Sequence, residues 1–235
     1  MKNLIIATAV AVVVGQGSAI AADMAPRTYT KVPPIQSVYN WTGLYAGVHI
    51  GAAWGRSIFS DPATPGFSLN NKFNGVLGGA QVGYNIQTGP WVFGVEADIS
   101  GSGVSGRTID QVFVGDIYRT RIDWMATLTG RVGFAMDRTL FYAKGGGALM
   151  EARYEYTPIS FGDNTLTSAS ATRGGYTVGG GVEYGMTPNW TARLEYSYVD
   201  FGRIGNVTLQ PIASGFVATI DTNMHVVKAA ANYRF

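Results

Sequence analysis

Two histidines and no cysteine bound the chemistry open to this 235-residue chain. Histidine suits acid–base work near neutral pH, so His49 and His225 are the first candidates for a catalytic base. A base needs a nucleophile within hydrogen-bond reach. His49 falls on the polar register of an alternating segment, and the pattern places no serine beside it. His225 falls on the apolar register near the far end of the last segment. Spacing therefore marks no catalytic residue, and the chain does not read as an enzyme. An imidazole can also hold haem iron, but with two histidines and no thiolate neither a zinc nor an iron–sulfur site is expected. The run Gly101-Ser102-Gly103-Val104-Ser105-Gly106 spells G-x-G-x-x-G. No helical periodicity follows it, so it reads as the start of a flexible loop and not as a phosphate cradle.

A second set of chemically competent residues is defined by parity along the alternating segments. Glu96, Asp98, Asp123, Glu183 and Glu195 share the polar faces with Arg121, Arg131, Lys144, Arg193 and Lys228. Acids facing bases in equal number can neutralise one another in a salt-bridged plug, because an isolated buried charge is very costly. They can also line a narrow ion path, and then Arg131 and Glu183 are residues that would set its selectivity. The plug is the expected arrangement.

The elements that hold these charges are strands. Trp91, Phe93, Val95, Ala97 and Ile99 alternate with Gly94, Glu96, Asp98 and Ser100. Tyr176, Val178, Val182, Tyr184 and Met186 oppose Gly175, Thr177, Gly179, Gly181, Glu183 and Gly185, and Ile122, Trp124, Ala126, Leu128, Val132 and Phe134 oppose Arg121, Asp123, Thr127, Thr129 and Arg131. Segments 40–55, 73–87, 190–201 and 222–235 follow the same period. Segment 139–154 follows it least clearly, because Gly145-Gly146-Gly147 blurs its faces. That gives eight strands. Tight turns at Thr88-Gly89-Pro90, Met136-Asp137-Arg138 and Thr187-Pro188-Asn189 alternate with four long connections at 56–72, 102–117, 156–171 and 202–221. Short turns at one end and long loops at the other are the arrangement of an outer-membrane barrel, with the loops extracellular.

Composition agrees. Charged residues form 14% of the chain, below the ~25% of soluble domains, while 32 glycines and a 12% aromatic share favour sheet and turns. Past residue 22 no apolar run is long enough for a membrane helix, and lipid tolerates only helices and closed barrels. Acids and bases nearly balance, which leaves no basic surplus for nucleic acid. Residues 1–21 have the form of an export signal: Lys2, an apolar run from Leu4 to Val14, then Ala19-Ile20-Ala21. Residues 22–39, with Pro26, Pro33 and Pro34, read as an extended periplasmic lead-in, and 40–235 as the barrel.

Alternation alone does not say which face is the lumen. A soluble carrier would turn the apolar face inward around a greasy ligand. The polar faces carry too little charge and too much glycine for a solvated exterior. Trp91, Phe134, Phe141, Trp190, Tyr233 and Phe235 collect at the turn ends of the apolar faces as an interfacial girdle would. The expected arrangement is lipid-facing.

The stretch Tyr39-Asn40-Trp41-Thr42-Gly43-Leu44-Tyr45-Ala46-Gly47 resembles the opening strand of the alphaproteobacterial outer-membrane immunogenic, or opacity-like, porin family. Ala22-Asp23, Gly78 to Asn85, Gly130-Arg131-Val132-Gly133 and the Tyr-Arg-Phe terminus also fit it. The resemblance implies an eight-stranded barrel of surface antigens, with structural, adhesive or haem-binding roles among its members, and a terminal Phe235 that addresses the chain to the barrel-assembly machinery. The function expected is structural and surface-displaying, with partners met at the four loops through residues such as Phe59, Phe67, Phe113, Phe161, Ile212 and Phe216. A narrow channel for ions or small solutes is the alternative, and haem binding a lesser one.

Overall fold

Eight strands close into one barrel in a computed structural model that describes residues 39–60, 68–109, 117–157, 167–209 and 216–235. They are β1 (Gly43–Ser60), β2 (Ser68–Thr88), β3 (Trp91–Ile109), β4 (Ile117–Met136), β5 (Thr139–Thr157), β6 (Thr167–Gly185), β7 (Trp190–Leu209) and β8 (Phe216–Arg234). Each pairs antiparallel with its chain neighbours, and β1 closes on β8 through partners such as Val48 and Ala231. The expected signal segment 1–21 and the lead-in up to residue 38 lie outside the described residues.

Register fixes the shape. From Val182 the paired residues run through Leu194, Ala229, Ile50, Gly78, Gly101, Trp124 and Glu151, and return to β6 at Thr172, ten residues away. That stagger tilts the strands by about 40° and leaves an interior that side chains can fill. At this tilt the ten steps from Leu44 to Trp54 climb roughly 25 Å, the height of the lipid-facing band of an outer-membrane barrel. Leu44, Val48, Ile50 and Trp54 all point outward and are exposed. So are the turn-end aromatics Trp91, Phe134, Phe141, Trp190, Tyr233 and Phe235, which pack edge to face as Trp91–Phe134 and Trp190–Tyr233. The apolar face is the outer wall, as the girdle and the charge-poor, glycine-rich polar faces implied.

The tight turns fall where the sequence put them, with Gly89 and Asp137 in the left-handed conformation that such turns require. At the other end the strands run further than expected. Pairing continues through Ser60 and resumes at Ser68, and likewise reaches Ile109, Thr157 and Leu209. The expected loops 56–72, 102–117, 156–171 and 202–221 are thus entered by strand from both sides, and Gly101–Gly106 belongs to β3. Above the membrane band the outer face turns polar while the inner face carries apolar residues such as Phe73, Val199 and Phe201, so alternation loses its expected contrast while the backbone pairing continues. Phe59 and Phe216 lie in β1 and β8. The side chains of all six loop apolar residues named above are outside those described.

A bulge corrects one strand. The β4–β5 register shifts between Ile122 and Trp124, which reverses parity above it. Ile122, expected on the lipid face, is buried inside, and Arg121, expected in the lumen, is exposed on the outer wall. Asp123 leaves the lumen with it and pairs with Arg121 at 3.1 Å and Arg153 at 3.2 Å.

The glycine run of β5 also resolves. Gly145 and Gly147 face outward, whereas a Cβ on Gly146 would stand 2.0 Å from the Leu128 carbonyl oxygen and 2.7 Å from the Thr129 Cα. Around Gly147 nothing lies within 4 Å. Gly146→Ala should therefore lower stability by about 1–3 kcal/mol, while Gly147→Ala leaves it nearly unchanged. Urea titration of the folded form, followed by its heat-dependent gel shift, separates the two. Equal midpoints would contradict this packing.

Candidate functional site: the barrel interior

The lumen is filled in layers. At its mid-height lie four acids and four bases from the inward positions of β3 to β8, with none of these side chains more than 8% exposed. Glu96 is the hub. Its carboxylate accepts from Arg193, from Lys144 Nζ at 3.1 Å and from the Tyr45 hydroxyl at 2.6 Å, with Arg131 Nη1 3.8 Å away. Glu195 takes Lys144 Nζ at 2.7 Å and the Tyr142 hydroxyl at 2.7 Å. Glu183 takes Arg131 Nη1 at 3.1 Å and Asn232 Nδ2 at 3.0 Å, and Asp98 takes Lys228 Nζ at 2.8 Å. The Arg131 guanidinium also lies 4.6 Å over the Tyr45 ring and donates through Nε to Asn85. Eight of the ten charges expected in the lumen meet here; Arg121 and Asp123 are the two that the bulge removes.

His49 belongs to the same network, and here the sequence reading needs correction. Ser100 Oγ lies 2.8 Å from His49 Nε2, although period-two spacing within β1 placed no serine nearby. Ser100 comes from β3, two strands away, which only the closed and staggered barrel brings alongside. Gln81 holds the other ring nitrogen at 2.6 Å and donates through its own Nε2 to Asn232 Oδ1. With its amide nitrogen so used, Gln81 presents oxygen to His49, which puts the proton on Nδ1 and leaves Nε2 to accept from Ser100. This serine–histidine contact lacks a carboxylate behind the histidine, and Ser100 is completely buried. Both ring nitrogens of His49 are engaged, so neither faces an open position where iron could bind. His225 lies on the outer wall as expected, its Nδ1 2.7 Å from the Tyr196 hydroxyl.

Two further layers were not foreseen. Above the charges, inward-facing Phe73, Leu77, Ile122, Met125, Met150 and Met224 form an apolar stopper. A void between charges and stopper, bounded by Asp98, Ser197 and Lys228 among others, is about 10 Å³, the least that could hold one water. Higher still, Arg173 donates to Thr222 Oγ1 at 2.7 Å and to the Gly202 carbonyl at 2.9 Å. It shares parity with Thr177 and Glu183, so alternation continued upward would have found it.

At the turn end, Tyr39 and Trp41 enter the barrel from below and pack with Val92, Leu140 and Tyr142. The Arg234 guanidinium covers their rings at 4.9 and 5.6 Å and donates to the Asn40 and Thr42 carbonyls, while Gln87 Oε1 accepts from the Trp41 amide at 2.7 Å. The residues that carried the family resemblance thus form an aromatic floor. Tyr39, expected to end the lead-in, is part of it.

A family model described as an outer membrane protein beta-barrel domain matches residues 9–235. The chain is 32% identical over 251 residues to a 31 kDa outer-membrane immunogenic protein of Brucella melitensis, covering all of both chains. It is 35% identical over 170 residues to a 22 kDa outer membrane protein of Rhizobium leguminosarum, covering 72% of this chain and 68% of that one. Among solved structures, the outer membrane protein OprG from Pseudomonas aeruginosa aligns with a TM-score of 0.49 at 13% identity, over 83% of this chain and 97% of that one.

Removing the hub should expose the network's energetics. Glu96→Ala leaves Arg193 and Lys144 short of countercharge in a buried interior, with an expected loss of about 3–5 kcal/mol. Glu96→Gln, which keeps the shape, should lose as much or nearly so. Urea midpoints of refolded protein check this. Wild-type stability in both variants would mean that the charges are solvated.

Proposed function

The chain belongs to the outer-membrane β-barrel family that includes the Brucella immunogenic proteins, and from that premise we propose that it is a closed scaffold displaying its extracellular end, not a conduit and not an enzyme. One observation carries this reading: the lumen is filled at successive heights by an aromatic floor, a neutralised charge belt and an apolar stopper. A hydrophobic constriction excludes water and with it ions. The only serine–histidine contact among the described residues lies beneath that stopper, where no substrate reaches it. Contact with partners then falls to the loop end, around residues 56–72, 102–117, 156–171 and 202–221. The relatives' names record immunogenicity, which fits a surface-exposed loop set. Residues 1–21 would serve as a cleaved export signal, residues 22–38 as the periplasmic lead-in, and Phe235 as the assembly signal.

The refolded chain in a planar bilayer is expected to be electrically silent while showing the heat-dependent gel shift of a folded barrel. Reproducible steps abolished by Arg131→Ala would overturn the reading and make the barrel a narrow ion channel.

A further inference from the structure

The outer wall carries a charge pattern that the filled lumen does not explain. Just above Trp54, where the apolar band ends, Arg56 and Lys72 point outward on adjacent strands as direct register partners. Like charges directly opposite in a sheet repel. Among the described residues neither makes an ion pair or hydrogen bond. Continuing the β2–β3 register puts Arg107 next in the row, exposed and likewise without a carboxylate among the described residues.

Several other cations of this rim are matched. Arg119 pairs with Glu155 at 3.3 Å, and Arg121 and Arg153 share Asp123. The nearest acid in the register, Asp221, is one diagonal step from Arg56 and makes no ion pair with either cation among the described residues. Asp200 accepts from the Tyr176 and Tyr198 hydroxyls, and Asp221 stands opposite Arg203 in the register.

Arg56 and Lys72 border a groove of about 420 Å³ with Asn70 and Asn223 as amide neighbours. Its lower edge is Trp54, stacked on His225 at 5.8 Å, and continues into the apolar wall. Two cations without an ion-pair partner among the described residues, with two amides over an apolar surface at the level of the outer-leaflet headgroups, match an amphiphile with a phosphate at its head. Guanidinium and ammonium groups are the usual phosphate ligands, and the wall below can hold acyl chains. A free anion would use the cations but leave the wall unused.

We propose that Arg56 and Lys72, with Asn70 and Asn223, bind a phosphate of an outer-leaflet lipid whose acyl chains lie along the wall beneath Trp54.

The test uses the refolded chain with three probes: purified lipopolysaccharide, the same material dephosphorylated by phosphatase, and inorganic phosphate. Binding is read by lipid retained in native mass spectrometry. Wild type should retain the phosphorylated lipid, and Arg56→Ser/Lys72→Ser should bind it roughly 30-fold more weakly, with Lys72→Gln alone about fivefold weaker. Arg121→Ser, which removes a matched cation, should not change retention. Full retention by the double variant, while it still shows the gel shift of a folded barrel, would overturn the proposal. Equal retention of dephosphorylated lipid would overturn it too. Complete displacement by equimolar inorganic phosphate would assign the site to a soluble anion instead.

Discussion

Hydrocarbon offers no hydrogen-bond partner to a peptide N–H or carbonyl, so a sheet that crosses it must close on itself. Everything else in this molecule follows from that closure at eight strands. The pairing of β1 with β8 removes the edges, and a stagger of ten residues sets the tilt and the bore. The bore is narrow enough that inward side chains meet across it. Whatever points inward must therefore pack, and whatever carries charge must find its opposite within a few ångströms.

The interior meets that constraint with different chemistry at different heights. The aromatic floor needs one cation, Arg234, over its rings. The middle belt holds charges whose mutual attraction offsets the loss of hydration, helped by hydroxyl donors such as Tyr45 and Tyr142. Such belts add little net stability over an apolar core. Their consequence is geometric: each charge fixes the rotamer of its neighbour, so the network has one arrangement. The apolar stopper above has no polar group to hold water. On the function proposed above, contact with partners is then left to the loop end, and contact with lipid headgroups to the rim cations Arg56 and Lys72.

The fold was largely legible because lipid enforces alternation. Within the membrane band the outward residues, His225 at its upper edge apart, are apolar, aromatic or small, so eight segments could be read from parity, along with Glu96, Asp98, Arg131, Lys144, Glu183, Arg193, Glu195 and Lys228 as inward groups. Illegibility begins where lipid stops acting. Above Trp54 the outer face turns polar and the inner face turns apolar, so strand ends passed for loops and the stopper went unseen. Parity also assumes an unbroken register, and the bulge at Ile122 sent Arg121 and Asp123 to the wrong face. The contact of His49 with Ser100 depends on stagger between non-adjacent strands, which no local pattern encodes.

A dry, filled lumen is tested most directly by the accessibility of a single thiol at its middle. The chain contains no cysteine, so Ser197→Cys, buried beside the small void near Asp98 and Lys228, provides a background-free reporter. In the folded, membrane-inserted barrel a small water-soluble methanethiosulfonate reagent should leave this thiol unmodified from either side, and denaturation should make it fully reactive. Rapid modification in the folded barrel would show a water path through the belt and contradict the filled lumen.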